Sequence, residues 1–236
     1  MTFSAYASPP RQTHPSGDLT IAWPKQGDAS ARFYERHESF LRRGRERPVG
    51  LLFLGDSITE QWETVPGLWQ HYFGAAEPAN FGIGGDGVQH VLWRIEHGEL
   101  DDLRPRTVVV LVGTNNTRDS TGARIAAGIS RILQLIREIL PASHVLLLAI
   151  FPRGPGVNAD GTKDDGVARM QVIRAANARL AKFADGQRIH YLDIGARFLA
   201  PAGGILTELM PDQLHLNSAG YRVWAEAISP ALRAMH

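Results

Sequence analysis

The sequence predicts an α/β protein of three layers, with helices covering both faces of a five-stranded parallel sheet. Three observations carry this expectation. Short runs dense in Val, Leu and Ile alternate along the chain with longer segments whose apolar residues recur every three or four positions. The short runs are apolar throughout, as in strands buried on both faces, and lack the alternation of a sheet with one wet side. Helix-length segments separate most of the runs, and such crossovers join parallel neighbours with right-handed connections.

The elements follow in order. Up to about Ser30 the chain is rich in Pro, Gly, Ser and Thr without hydrophobic periodicity, which reads as an extended arm over residues 1–30. A single domain is expected over 31–236. Ala31 to Arg43 has helical spacing, and the cluster Arg42, Arg43, Arg45 and Arg47 reads as a solvated helix end before Gly44 rather than an anion site. Val49 to Leu54 is the first strand, Pro78 to Phe81 a weaker second, and Thr107 to Val112, Val145 to Phe151 and Arg188 to Ile194 the remaining three. Between and after them, Thr59 to Tyr72, Val88 to His97, Ala123 to Leu140, Val167 to Ala184 and Ser218 to Met235 read as helices. The spacing is clearest in Ile125, Ile129, Ile132, Leu133 and Ile136. Five such strands make a flavodoxin-like sheet, whose ligands bind beyond the carboxyl ends of the strands. One long loop, Pro152 to Gly166, follows the fourth strand.

Composition narrows the chemistry. The 236 residues contain no cysteine, which excludes disulfides, a thiol nucleophile and thiolate metal sites. Lys and Arg total 25 against 24 Asp and Glu, a formal charge of +1 that argues against a nucleic-acid partner. It suits an uncharged or zwitterionic small molecule. No apolar run approaches the roughly 20 residues that span a bilayer. Ala5-Tyr6-Ala7 before Ser8 has the small-x-small pattern of a leader cleavage site, for which a chance match is the simpler reading; cytoplasmic and exported locations both stay open.

Four loops carry chemistry-bearing residues. The first strand ends in Gly55-Asp56-Ser57-Ile58-Thr59, so Ser57 sits where a strand gives way to a helix whose free N–H groups favour developing negative charge. Ser57 or Thr59 could equally serve as a helix cap. Asn80 to Gly87 is glycine-rich and lets backbone N–H groups approach a ligand. Its Gly82, Gly84 and Gly87 match G-x-G-x-x-G, which keeps a dinucleotide-binding protein as an alternative, although the match follows the second strand and lacks a well-placed acidic partner. Gly113-Thr114-Asn115-Asn116 ends the third strand, and an Asn amide can donate to an oxyanion without titrating. Near the C-terminus, Asp212-x-x-His215 lets the carboxylate fold back on the imidazole and fix its tautomer.

Together these blocks resemble the SGNH, or GDSL, hydrolase superfamily over about Leu51 to Ala227. The strings Asn80-Phe81-Gly82-Ile83-Gly84-Gly85-Asp86, His90-Val91-Leu92-Trp93-Arg94, Gly98-Glu99-Leu100, Val112-Gly113-Thr114-Asn115-Asn116 and Pro152-Arg153-Gly154 are similar to the alpha subunits of intracellular platelet-activating-factor acetylhydrolases and their bacterial relatives. The resemblance implies the superfamily's three-layer fold and a serine esterase of short-chain, acetyl-type esters. In it Ser57 is the nucleophile, His215 the general base and then acid, and Asp212 its orienting partner. The Ser57 and Gly85 backbone N–H groups and the Asn115 amide would hold the oxyanion. Asn116 departs from the commoner Asp of its block, which puts in doubt the capping or loop contact made there.

No metal or cofactor is implied, and the G-x-S-x-G elbow of ordinary α/β-hydrolases is absent. Ile58 and Leu214 flank the nucleophile and the histidine and are expected to wall the acyl pocket. Trp62, Trp69 and Trp93 are candidate platforms for a sugar, against the commoner reading of helical aromatics as core. The partner implied is a small-molecule ester, either an acetylated carbohydrate or an acetyl-phospholipid-like compound, and the resemblance leaves a homodimer open. A non-catalytic ligand-binding module on the same fold is the remaining alternative.

Overall fold

Five parallel strands, β1 (Leu51–Gly55), β2 (Pro78–Gly82), β3 (Thr107–Leu111), β4 (His144–Leu148) and β5 (Ile189–Leu192), form one sheet in the order β2-β1-β3-β4-β5. The computed structural model describes residues 14–156 and 162–235, so the Ala5-Tyr6-Ala7 motif and the start of the arm lie outside the described residues. The register pairs Gly55 with both Gly82 and Leu111. The loops after β1, β2 and β3 therefore leave the sheet at one level. The strand order reverses between β1 and β3, the point at which such sheets open a crevice for ligands.

Alternation within the strands divides the core in two. Leu52, Leu54, Val108, Val110, Val145 and Leu147 face one side, where they pack with residues of α1 (Ser30–Glu46), α4 (Val88–Glu96), α5 (Gly122–Ile139) and α6 (Val167–Leu180). Leu51, Phe53, Val109, Leu111, Leu146 and Leu148 face the other, against α3 (Pro66–Phe73) and α7 (Ser218–Ala234). Both faces are thus apolar, as a parallel sheet covered on two sides requires. No described helix is long and apolar enough to cross a membrane.

Two expectations are corrected in detail. The helix expected over Thr59 to Tyr72 is broken into a one-turn α2 (Ser57–Glu60), a 3₁₀ turn (Gln61–Thr64) and α3. Pro66 is the cause: it disfavours helical backbone at Val65, which adopts φ −130° and ψ 54°, and itself starts α3. The first helix does not stop before Gly44 but runs to Glu46. Gly44 lies against Leu103, where a Cβ would come within 2.9 Å of the leucine side chain, so close packing holds the helix through that position. Arg43 donates to the Arg47 and Pro48 carbonyls, and Arg45 pairs with Asp102, consistent with a solvated helix end.

The described part of the arm does more than cross the surface. Leu19 is buried in the first core cluster, and Lys25 reaches inward to pair with Asp86 at 2.9 Å.

Candidate active site

The Gly-Asp-Ser turn folds sharply because nothing projects from Gly55. A Cβ there would come within 2.2 Å of the Leu111 carbonyl and 2.3 Å of the Thr59 hydroxyl, so α2 can begin only one residue after the strand ends. Asp56, not Ser57 or Thr59, caps the helix, its Oδ1 accepting the Ile58 N–H at 3.0 Å. The Ser57 hydroxyl is thereby left for other work. Asp56 is fully buried, and its Oδ2 has no hydrogen-bond partner among the described residues. Burial pushes its carboxyl up to about 7; the Ile58 N–H opposes this, the Asp86 charge adds to it, and Lys25 and Arg153 oppose it.

Ser57 Oγ lies 2.9 Å from His215 Nε2, and His215 Nδ1 lies 2.7 Å from Asp212 Oδ2. Asp212 Oδ1 also accepts the backbone N–H groups of Leu214 and His215, at 3.0 and 2.7 Å. Partial burial works against the Asp212 charge, but the His215 N–H, the imidazole and the Leu214 N–H outweigh it and hold the carboxyl below its usual range. Between them Gln213 takes a left-handed φ of 59°, uncommon for a non-glycine residue. Gly154 donates its N–H to the Gln213 carbonyl at 2.7 Å, and a Cβ on Gly154 would strike the Gln213 side chain. The Pro152-Arg153-Gly154 loop therefore braces the turn that carries His215. Tyr221 of α7 donates to the Ile58 carbonyl at 2.7 Å, tying α7 to the turn that carries Ser57.

In the glycine loop, the three N–H groups of the G-x-G-x-x-G match are already taken. Gly82 donates to Asn80, Gly84 to Glu60 and Gly87 to His90. Gly82 and Gly84 also press on α2, the first on the Glu60 backbone and the second on its carboxylate. This removes the dinucleotide alternative, which needs those groups free for a pyrophosphate. Gly85 is different. It is exposed, adopts a left-handed φ of 76°, and its N–H, like that of Ser57, donates to no group among the described residues.

Asn115 donates one amide N–H to the Asp86 carbonyl at 2.9 Å, which fixes the amide and leaves its second N–H. Asn116 accepts the Val88 N–H at the start of α4 and donates to Gln89, each at 2.9 Å. The departure from Asp at this position therefore keeps a capping contact with α4.

A cavity of about 240 Å³ opens beside these groups, lined among others by Gly85, Asn115, Arg118, Arg153 and Leu214. Leu214 thus stands on its wall, whereas Ile58 is buried in the second core cluster and does not line it. The tryptophan platforms are not there either. Trp62 is fully buried, and Trp69 and Trp93 pack against the two core clusters, the latter stacked on His97. Sequence reasoning missed the supports: Lys25, which pairs with Asp86 and donates to the Gly84 carbonyl, Glu60, which holds Gly84, and Arg153. Of these only Arg153 carried a signal, as part of a string at the carboxyl edge of the sheet.

The model of the GDSL-like lipase/acylhydrolase family matches residues 53–223. Human platelet-activating factor acetylhydrolase IB subunit alpha1 is 36% identical over 225 residues, covering 95% of this chain and 89% of that protein. The rat alpha2 subunit is 35% identical over 196 residues, covering 83% and 80%. Among solved structures, a GDSL-like lipase from Bacteroides thetaiotaomicron superposes with a TM-score of 0.71 at 17% identity, covering 85% of this chain and 98% of that one. A carbohydrate esterase family 3 structure from Talaromyces cellulolyticus gives 0.60 at 21% identity, covering 79% and 97%. At these identities the two structures speak to the fold. The extent of the family match, and relatives at this identity over nearly the whole chain, show that the chain belongs to the GDSL-like lipase/acylhydrolase family of ester hydrolases.

Proposed function

We propose that the protein hydrolyses short-chain, acetyl-type esters through a Ser57, His215 and Asp212 triad. One observation carries the reading: the continuous line from Ser57 Oγ to His215 Nε2 at 2.9 Å and from His215 Nδ1 to Asp212 Oδ2 at 2.7 Å. His215 takes the hydroxyl proton as Ser57 Oγ bonds to the ester carbonyl carbon. The tetrahedral oxyanion is met by the Ser57 and Gly85 N–H groups and the second N–H of Asn115. Collapse breaks the bond to the alkoxy oxygen, which leaves with the proton returned by His215. Water, activated by the same imidazole, then releases the acid and restores Ser57. Asp212, held ionised, keeps the Nδ1 proton in place and supports the imidazolium at each stage.

The acetyl preference is supported by Leu214 on the cavity wall and by the acetylhydrolase relatives, while Ile58, buried in the second core cluster, is left out of that wall. Ser57→Ala should abolish ester hydrolysis and fluorophosphonate labelling. Among 4-nitrophenyl esters, acetate should be cleaved faster than octanoate by the parent protein. Labelling that persists in Ser57→Ala would remove Ser57 from the role, and faster cleavage of octanoate would overturn the acyl preference.

A further inference from the structure

The Gly85 N–H belongs to the peptide that joins Gly84 to Gly85, so whatever turns that peptide turns the proposed oxyanion donor. The peptide is the middle one of a β-turn, closed by the Asp86 N–H on the Ile83 carbonyl at 3.1 Å. The closing bond does not fix it, because type I and type II turns share that bond and differ chiefly in which way the middle plane faces. Gly85 has a φ of 76°, as the third residue of a type II turn requires, while Gly84 is not in the left-handed region. Both residues are glycines, so no Cβ opposes rotation to the other form. In that form the Gly85 N–H faces the opposite way, and the oxyanion loses a donor.

One side chain holds the plane. Lys25 Nζ donates to the Gly84 carbonyl and pairs with Asp86 Oδ1 at 2.9 Å, so a single ammonium engages the residues on either side of Gly85. A trans peptide points its C=O and N–H in opposite directions. The carbonyl end of this one is taken by a lysine only 5% exposed, which directs the N–H end away from it, on the residue that lines the cavity with Asn115. A cation on the oxygen also polarises the amide and makes its N–H a stronger donor, an effect that water damps least at a buried site. Charge balance alone does not account for Lys25, since Arg94 already meets the other Asp86 oxygen at 3.0 Å. Nor is the lysine loosely delivered. Leu19 is buried in the first core cluster, and the Trp23 N–H donates to the Gln89 carbonyl at 3.1 Å, so the arm is pinned ahead of Lys25 and brings it to a carbonyl 59 residues away.

We propose that Lys25 is a positioning residue for ester hydrolysis, locking the Gly84–Gly85 peptide with its N–H on the oxyanion side and strengthening that N–H as a donor. The proposal rests on the Ser57 reading above and on Gly85 as an oxyanion donor.

The test compares 4-nitrophenyl acetate with its thiono counterpart, in which sulfur replaces the carbonyl oxygen. Sulfur accepts hydrogen bonds weakly, so the oxo ester gains most from the donors, and the parent protein should cleave it with much the higher kcat/KM. Lys25→Met keeps an unbranched stem and removes the ammonium. It should lower kcat/KM for the oxo ester by about tenfold, short of the roughly 10²- to 10³-fold cost of deleting a donor outright, and change the thiono ester little. The oxo-to-thiono ratio then falls by nearly the same factor. The folded fraction cancels in that ratio, so a lysine that served the fold alone would leave it unchanged. The lack of any native cysteine permits a rescue. Lys25→Cys, alkylated in urea and refolded, regains an ammonium at nearly lysine length with 2-bromoethylamine and gains only a neutral amide with iodoacetamide. The aminoethylated protein should recover the parental ratio and the carbamidomethylated one should not, a comparison that stands in should Lys25→Met fail to fold. The proposal is overturned if Lys25→Met keeps the parental kcat/KM, if it slows both esters alike, or if the aminoethylated protein does no better than the carbamidomethylated one. Failure of the underlying reading looks different: a parent protein that cleaves neither ester sinks the esterase, and one that shows no preference for the oxo ester sinks the oxyanion donors.

Discussion

The Asn115 amide has two N–H bonds, and the structure spends one on holding the other still. With Nδ2 tied to the Asp86 carbonyl at 2.9 Å, the second hydrogen is fixed in direction, and in the proposed oxyanion hole such a pre-set donor is effective on a charge that exists only in the transition state. Asn115→Ala should therefore lower kcat by about 10²- to 10³-fold. The melting temperature should move little, because Asn116 and not Asn115 holds the start of α4. Unchanged turnover would clear Asn115 of the role. At this scale the sequence was informative for the residues that meet in the proposed triad and silent on those that support them. Ser57, Asp212 and His215 stand in loops whose residue types and spacing are constrained by chemistry. Lys25 and Glu60 make contacts across 59 and 24 residues of chain, and no local pattern marks a residue for such a contact.

Among the elements, the strands were the most legible, since a run apolar on both faces has few other uses. Helix boundaries were less so. The break at Pro66 was written in the sequence but overridden by the surrounding helical periodicity, while the passage of α1 through Gly44 depends on Leu103, a contact that no local pattern announces. What joins these elements at the site is Arg94 of α4, 0% exposed. It donates to Asp86 at 3.0 Å, to the Gly55 and Phe81 carbonyls at the ends of β1 and β2, and to Glu99, which also lies 3.7 Å from His37 of α1. One side chain thus fixes two strand ends and the loop bearing Gly85. Arg94→Leu removes the cation and leaves Asp86 and Glu99 buried, a loss of about 3–5 kcal/mol by the usual cost of breaking a buried pair. Lys25 still faces Asp86 at 2.9 Å, so the lower end of that range is expected. Urea denaturation of the variant measures it, and a loss below about 1 kcal/mol, the scale of exposed pairs, would show that the network is not held by charge.

For the molecule as a whole, the near-zero formal charge concealed an uneven interior. Lys25, Asp86, Arg94 and Glu99 compensate one another, but Asp56 and Arg153 are each buried without a direct ionic partner among the described residues. This has a consequence for stability against pH. The Asp56 carboxyl sits at about 7 in the folded chain, against about 3.9 when unfolded. Between those values the folded state keeps a proton that the unfolded state has lost. Stability is then fully present below about pH 4, falls as pH rises through 7, and levels off above it. Three pH units at about 1.4 kcal/mol each set an order of magnitude of about 4 kcal/mol. Carboxylates held low act in the opposite sense: Asp185, brought to about 2 first by the Ile189 N–H, and Asp212 both lose their contribution as pH falls below the ordinary carboxylate range. The two trends place maximal stability in mild acid, near pH 4 to 5. Asp56→Asn keeps an oxygen for the Ile58 N–H and cannot ionise, so it should remove most of the decline. Urea midpoints taken at pH 5 and pH 8 decide the point. The parent protein should be the more stable at pH 5, the variant should differ little between the two, and a variant that keeps the full parental decline would assign the buried proton to a group other than Asp56.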